Sequence, residues 1–182
     1  MPGLERQTAG MSDGAMRSWV VGGGLILGDG GLLLVRNRRR DGSHDWSPPG
    51  GVIEDGESLV DGLTREVAEE TGVEVLGWDG PVYEVHVDAP DLGWRARIEV
   101  HAAREYRGDL HVDDPDGIVV DAAWVAPTSC EGHLADCRRW VREPLLTWID
   151  ATGAGTRPWP ARAFRYHLAG RDPATSVLTL LD

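Results

Sequence analysis

Apolar and polar positions change period several times along this chain, and each change marks an element. Residues 19–27 are almost wholly apolar or glycine, which predicts a buried strand. Gly28-Asp29-Gly30-Gly31 predicts a hairpin turn, with glycine supplying positive φ, and residues 32–36 the returning strand. The glycines at 22–24 weaken a strand interior, so either another group approaches the backbone closely there or the strand bulges. Farther on, Tyr83, Val85 and Val87 alternate with Glu84, His86 and Asp88. Trp94, Ala96, Ile98, Val100 and Ala102 alternate with Arg95, Arg97, Glu99 and His101. A period of two predicts half-buried antiparallel strands, whose polar faces meet water or a substrate. His86 and His101 are the candidates for the second role. An acidic loop over residues 108–117 precedes another strand at 118–125, and residues 165–169 and 176–180 read as a C-terminal hairpin.

The period shifts to 3.6 after Ser58, a good N-cap with Asp61 in the first turn, and the pattern stops at Gly72, a typical residue just past a helix end. At about 100° per residue, with Glu66 at zero, Glu69 falls near −60° and Glu70 near +40°. The three carboxylates share a face, and Leu59, Leu63 and Val67 form an apolar stripe beside it. A second helix is predicted at 129–148 from Leu134, Val141, Leu145 and Trp148, with Pro144 kinking it. Residues 150–162 form a Gly/Pro loop. Trp46 reads as a packing anchor.

Length changes this picture little: 182 residues suggest one domain, here residues 17–182, behind a polar leader at 1–16 with no apolar signal region. Charge changes it more. A formal net charge of −12 argues against broad nucleic-acid binding but not against nucleotides, whose phosphates a metal can neutralise. No 18-residue apolar run exists, so no membrane span is expected. Cys130 and Cys137 would stand about 10.5 Å apart on one helix, too far for a disulfide. They read as reduced thiols, which points to the cytoplasm.

Three carboxylates on adjacent turns repel one another, and a hard divalent cation such as Mg²⁺ reverses the sign of that interaction. The wider pattern is more specific. Gly51 is followed after five residues by Glu57. Seven residues later come Arg65-Glu66, then Val67, Glu69-Glu70, Gly72 and Val73. This resembles, position for position, the Nudix hydrolase signature G-x5-E-x7-R-E-U-x-E-E-x-G-U. The chance of such a match in a chain this long is on the order of one in ten million.

The resemblance implies an α/β (α+β) Nudix-type fold, a mixed β-sheet sandwiched between helices, with the signature as a loop–helix–loop metal site. It implies hydrolysis of a nucleoside diphosphate linked to another group. Glu66, Glu69 and Glu70 are then the expected ligands of Mg²⁺, with Mn²⁺ as a substitute, and the backbone carbonyl of Gly50 adds to the shell. Glu66 or Glu70 orients or deprotonates the attacking water. Glu57 assists, through the metal shell or by pairing with Arg65, which would make Arg65 structural. Many relatives take a general base from a downstream loop, and Glu99, Asp113, Asp114 and Asp116 are candidates. Arg36, Arg38, Arg39 and Arg40 form a basic patch in an acidic chain. They are either a solubilising strand end or a contact for substrate phosphates, which a planar guanidinium can grip with two bonds.

A nucleoside triphosphate, oxidised or not, suits that patch. The runner-up is ADP-ribose or another nucleotide sugar, for which Pro90 is a weak pointer. NADH is weaker, because Arg157-Pro158-Trp159-Pro160 only partly echoes that subgroup's motif. Capped or triphosphorylated RNA is disfavoured by charge. A non-catalytic nucleotide sensor is the reading from another class, although such proteins lose signature glutamates that are all present here. An acidic calcium module fits poorly, because the acids lie on a helix. A homodimer through the C-terminal hairpin is expected by analogy alone.

Overall fold

The computed structural model describes residues 16–154, 159–172 and 175–181. Most of the expected leader, together with Arg157 and Pro158, lies outside them. The elements in order are β1 (Arg17–Leu25), β2 (Leu27–Gly28), β3 (Gly31–Arg38), β4 (His44–Ser47), α1 (Leu59–Thr71), β5 (Glu74–Ala89) and β6 (Trp94–Arg107). They continue with β7 (Val119–Val125), α2 (Cys130–His133), α3 (Arg139–Thr152), β8 (Arg162–Ala169) and β9 (Val177–Leu181). One sheet runs β1-β6-β5-β8-β9, and the other holds β2, β3 and β4 with β7 on the free side of β3. The larger sheet is mixed: β1 lies parallel to β6 and β8 parallel to β5, whereas β5–β6 and β8–β9 are antiparallel. It lies between helices, α1 against β1 and β5, α3 against β5 and β8. No helix among the described residues is long and apolar enough to cross a membrane.

The strand expected at 19–27 divides at Ile26. β1 joins the larger sheet, and only β2 forms the hairpin with β3, where Gly28 faces Gly31. Ile26 is wholly buried, and its carbonyl accepts the Leu33 N–H at 2.9 Å. The glycines at 22–24 mark a close approach, not a bulge, because the β1–β6 register runs unbroken from Arg17↔Trp94 to Leu25↔Ala102. A Cβ on Gly22 would lie 3.0 Å from the Leu63 Cβ, and one on Gly24 would lie 2.9 Å from the Trp78 ring. The visitors are therefore the chain's own side chains, and the missing Cβ atoms let α1 settle onto the sheet.

The helix expected at 129–148 is two helices. α2 lasts four residues, and α3 begins at Arg139 and reaches Thr152. Leu134 and Cys137 are buried between them, so the 3.6-residue spacing runs across a break in the backbone. Pro144 lies inside α3 and is buried. Both cysteines are free and buried. Trp46 packs against the main core and meets His133 edge-on at 5.4 Å. The C-terminal hairpin forms, with Ala169 opposite Val177.

Candidate active site

The signature folds as loop, helix, loop. The Ser58 hydroxyl accepts the Asp61 N–H at 3.1 Å and starts α1, and Gly72, at φ 70°, ends it. Leu63 and Val67 are wholly buried, which fixes the rotation of the helix. The wheel then predicts graded burial of the three acids. Glu70, nearest the apolar stripe, is 3% exposed; Glu66 is half-buried; Glu69, on the far side, is exposed.

Arg65 organises the outer flank of this helix. Its Nε and one terminal nitrogen donate to the two carboxylate oxygens of Glu57 at 3.1 and 3.0 Å. The other terminal nitrogen donates to Glu66 at 2.9 Å and to Glu69 at 3.1 Å. These bonds hold the Glu57 carboxyl below the usual carboxylate range and push the guanidinium up. Two glycines make room for them. A Cβ on Gly51 would lie 2.2 Å from a Glu66 oxygen, and one on Gly62 would lie 2.6 Å from a Glu57 oxygen.

The inner flank is different. The Glu70 carboxylate accepts the Gly50 N–H at 2.8 Å, so its bonding partner is a neutral amide. Burial pushes its pKa up to about 8; the Gly50 bond opposes this, and the Glu66 charge adds to it. Glu66 is also raised, chiefly by burial, with Arg65 opposing and Glu69 and Asp116 adding. Among the described residues no three His, Cys, Asp or Glu side chains stand around one point. The donor set nevertheless fits a hard divalent cation. It is all oxygen, it occupies adjacent helical turns, and it includes a buried carboxylate whose bonding partner among the described residues is a neutral amide.

A cavity of about 680 Å³ opens over this helix, floored by Ser18 and Val20 of β1. All four signature glutamates line it, with Glu54, Asp55, Asp114 and Asp116. Among its described lining residues Arg97 of β6 is the only cation. Of the four downstream acids, Glu99 and Asp113 are not in this lining. Glu99 bonds Arg97 at 2.7 Å and His101 at 3.3 Å. Asp114 spends its carboxylate on the loop, accepting the N–H groups of Asp116, Ile118 and Val119 at 2.9, 2.6 and 2.8 Å. A second cavity, of about 40 Å³, lies beyond Gly50 between Tyr83 and Trp140 and is too small for a nucleobase as it stands.

None of Arg36, Arg38, Arg39 and Arg40 belongs to the described lining of the large cavity. Arg36 and Arg40 are exposed, and Arg38 donates to the Gly117 carbonyl at 2.9 Å. Arg39 is largely buried against Asp45, with its Nε at 2.8 Å from one carboxylate oxygen. His86 bonds Glu84 at 3.2 Å. The residue the motif does not point to is Arg97. Its signal was the alternation along residues 94–102, which puts it on the polar face, but nothing in that pattern says β1 will be its neighbour.

Fold and site together define a carboxylate-lined hydrolase of loop–helix–loop type. A NUDIX domain family model matches residues 16–149, and the chain belongs to that family. It is 33% identical over 152 residues to an RNA pyrophosphohydrolase of Caulobacter vibrioides, covering 76% of this chain and 88% of that one. It is 30% identical over 128 residues to the human 8-oxo-dGDP phosphatase NUDT18, covering 63% of this chain and 38% of that one. The solution structure of the E. coli ORF135 protein shares the fold at TM-score 0.63 and 23% identity, covering 79% of this chain and 95% of that one. The protein is therefore a Nudix pyrophosphohydrolase.

Proposed function

We propose that this chain hydrolyses nucleoside triphosphates, oxidised ones among them, to a monophosphate and pyrophosphate with Mg²⁺. The observation that carries this reading is the cavity that gathers Glu57, Glu66, Glu69 and Glu70 with Arg97. Glu66, Glu69 and Glu70 would hold Mg²⁺ or Mn²⁺, joined by the Gly50 backbone. Bound there, the ion would screen the phosphate charge, polarise a phosphoryl oxygen and lower the pKa of water.

The chain's own residues do the rest. Glu66 and Glu70 orient the attacking water. Asp114 and Asp116 are the downstream acids that line the cavity, Asp116 adds to the field at Glu66, and one of the two takes the role of general base. Arg65 positions Glu57, Glu66 and Glu69 without touching substrate. Arg97 is the cation that meets the phosphates, in place of the patch at residues 36–40. The edge strand β9, with Val177, Leu180 and Leu181 exposed, is where a second copy of the chain would pair.

A second reading is favoured by the relative named RNA pyrophosphohydrolase: the triphosphate at an RNA 5′ end occupies the same cavity. The net charge of −12 weighs against it, since a nucleic-acid chain is held by a basic surface. The test is a substrate panel with purified protein and Mg²⁺, with products separated by chromatography. It holds nucleoside triphosphates and their 8-oxo forms, ADP-ribose, other nucleotide sugars, NADH and a triphosphorylated RNA. Monophosphate plus pyrophosphate from free nucleotides supports the proposal. Turnover of RNA alone moves the assignment to the second reading, and turnover of ADP-ribose alone to nucleotide sugars. Binding without turnover of any member makes the chain a sensor.

A further inference from the structure

The polar face of the larger sheet carries a row of side chains that starts inside the cavity and leaves it. Val20 on β1, Arg97 on β6, His86 on β5 and Arg165 on β8 are directly opposite one another across four adjacent strands. The next residues along, Val21, Ile98, Val85 and Phe164, turn to the core. Val20 and Arg97 line the cavity. Successive strands lie about 4.8 Å apart, so Arg165 stands roughly 10 Å beyond Arg97.

Three groups that are cationic, or become so on protonation, thus follow one another in a chain whose net charge is −12. Like charges directly opposite across a sheet destabilise it. The row on one side holds Glu99 and Glu84, also opposite each other, and each already bonds one member: Glu99 to Arg97 at 2.7 Å and Glu84 to His86 at 3.2 Å. Those carboxylates aim the two heads. At Arg165 the same neighbouring row holds Ala163, so no acid aims the last member from that side. The row on the other side carries Arg95, Asp88 and His167. The side chains of Arg97 and His86 remain 47% and 38% exposed, and Arg165 is exposed. An anion lying across the row would turn its repulsion into attraction.

We propose that Arg97, His86 and Arg165 form an anion track that holds the oligophosphate chain of a substrate beyond the bond being cleaved. The ligand class is a linear chain of three or more phosphates. The inference rests on the reading of the cavity as the site where a phosphate anhydride is split, with Arg97 at the junction. Arg165 reaches only a chain long enough to leave the cavity, so the track selects by length.

Calorimetric binding of pyrophosphate and tripolyphosphate in Mg²⁺ buffer tests this. The wild-type protein is expected to bind tripolyphosphate at least about tenfold more tightly than pyrophosphate. Arg97→Glu should weaken both. Arg165→Glu should weaken tripolyphosphate about tenfold and leave pyrophosphate within about twofold. Arg165→Gln, which adds no negative charge, should show about a threefold loss, with an unchanged thermal midpoint showing that the fold is intact. Arg171→Glu makes the same change of charge at the far end of β8 and should leave both ligands within about twofold. Equal binding of the two ligands by wild type, no binding of tripolyphosphate, or the same effect from Arg165→Glu as from Arg171→Glu overturns the track. Arg165-dependent binding without turnover of any nucleotide leaves the track standing and removes the proposed reaction. Triphosphate turnover indifferent to Arg165 does the reverse.

Discussion

The two flanks of α1 carry the same carboxylates in opposite circumstances. On the outer flank Glu57 and Glu69 share one guanidinium, so each has a cation to bond, although its one positive charge offsets only part of theirs. On the inner flank Glu70 is buried, its carboxyl raised to about 8, with one amide as its bonding partner. A carboxylate already bonded to a guanidinium gains less from a cation in solution than a buried one bonded to an amide, because a buried charge without a charged partner is costly. In the proposed reading the Arg65–Glu57 pair is therefore the clamp and Glu70 the anchor of the metal site, with Glu66 and Glu69 serving both, although the sequence writes all four with glutamate.

The sharpest way to break that distinction is Glu70→Gln. The amide keeps an oxygen for the Gly50 N–H and loses the charge. We expect kcat/KM to fall by more than about a hundredfold, beyond the cost of losing a supporting partner, while the thermal midpoint holds or rises. Near wild-type turnover would show that the inner flank is not the metal site. Next is Gly51→Ala. Its Cβ would lie 2.2 Å from a Glu66 oxygen, so that carboxylate must move. Turnover should drop roughly ten- to a hundredfold, with a stability loss of about 1–3 kcal/mol by denaturant titration. Full activity would mean that Glu66 need not stand where it does.

The contrast was partly legible beforehand. The signature spacing and the wheel gave α1 and its caps, and the resemblance offered the pairing of Glu57 with Arg65 as one of two roles, because those are local relations within one helix and the loop leading into it. What stayed hidden depends on strand order. Arg97 and Arg95 look alike along the chain, and only parallel pairing with β1 brings Arg97 beside Val20. The setting of the basic patch was hidden for the complementary reason. Nothing local shows that Asp45, six residues from Arg39, will be buried against it. The split between α2 and α3 was hidden because Leu134 stays buried and keeps the helical spacing while the backbone leaves the helix.

Proton linkage sharpens the comparison further. The Glu70 pKa is near 8 in the fold, well above that of an unfolded glutamate. The metal-free fold therefore binds a proton that the unfolded chain does not. Its stability should be highest near pH 4–5, fall as pH rises through about 5–8, and level off above that. The fall should be on the order of a few kcal/mol. Cation binding must displace that proton, so Mg²⁺ affinity should rise up to about tenfold per pH unit below 8 and flatten above it. Calorimetry in buffers of different ionisation enthalpy should count up to one proton released at pH 7. Glu70→Gln should remove the larger part of both slopes and leave what the raised Glu66 carboxyl contributes. If the slopes persist undiminished in that variant, Glu70 is not the group that carries them.

The smallest effect belongs to the clamp. Arg65→Lys keeps the charge but replaces a fork by a point, which cannot grip both Glu57 oxygens while also reaching Glu66 and Glu69. The Arg65 side chain is 31% exposed, so solvent screens part of each bond, and the loss should sit near about 1 kcal/mol. Turnover should fall about three- to tenfold, through looser placement of Glu57 and Glu66. Adding Glu57→Gln to Arg65→Lys should cost less than the sum of the two single changes, because both break one pair. A positioning residue predicts that non-additivity, together with an unchanged proton count on Mg²⁺ binding. If Arg65→Lys costs as much as Glu70→Gln, or alters that count, the two flanks are one site and the line drawn between clamp and binding site disappears.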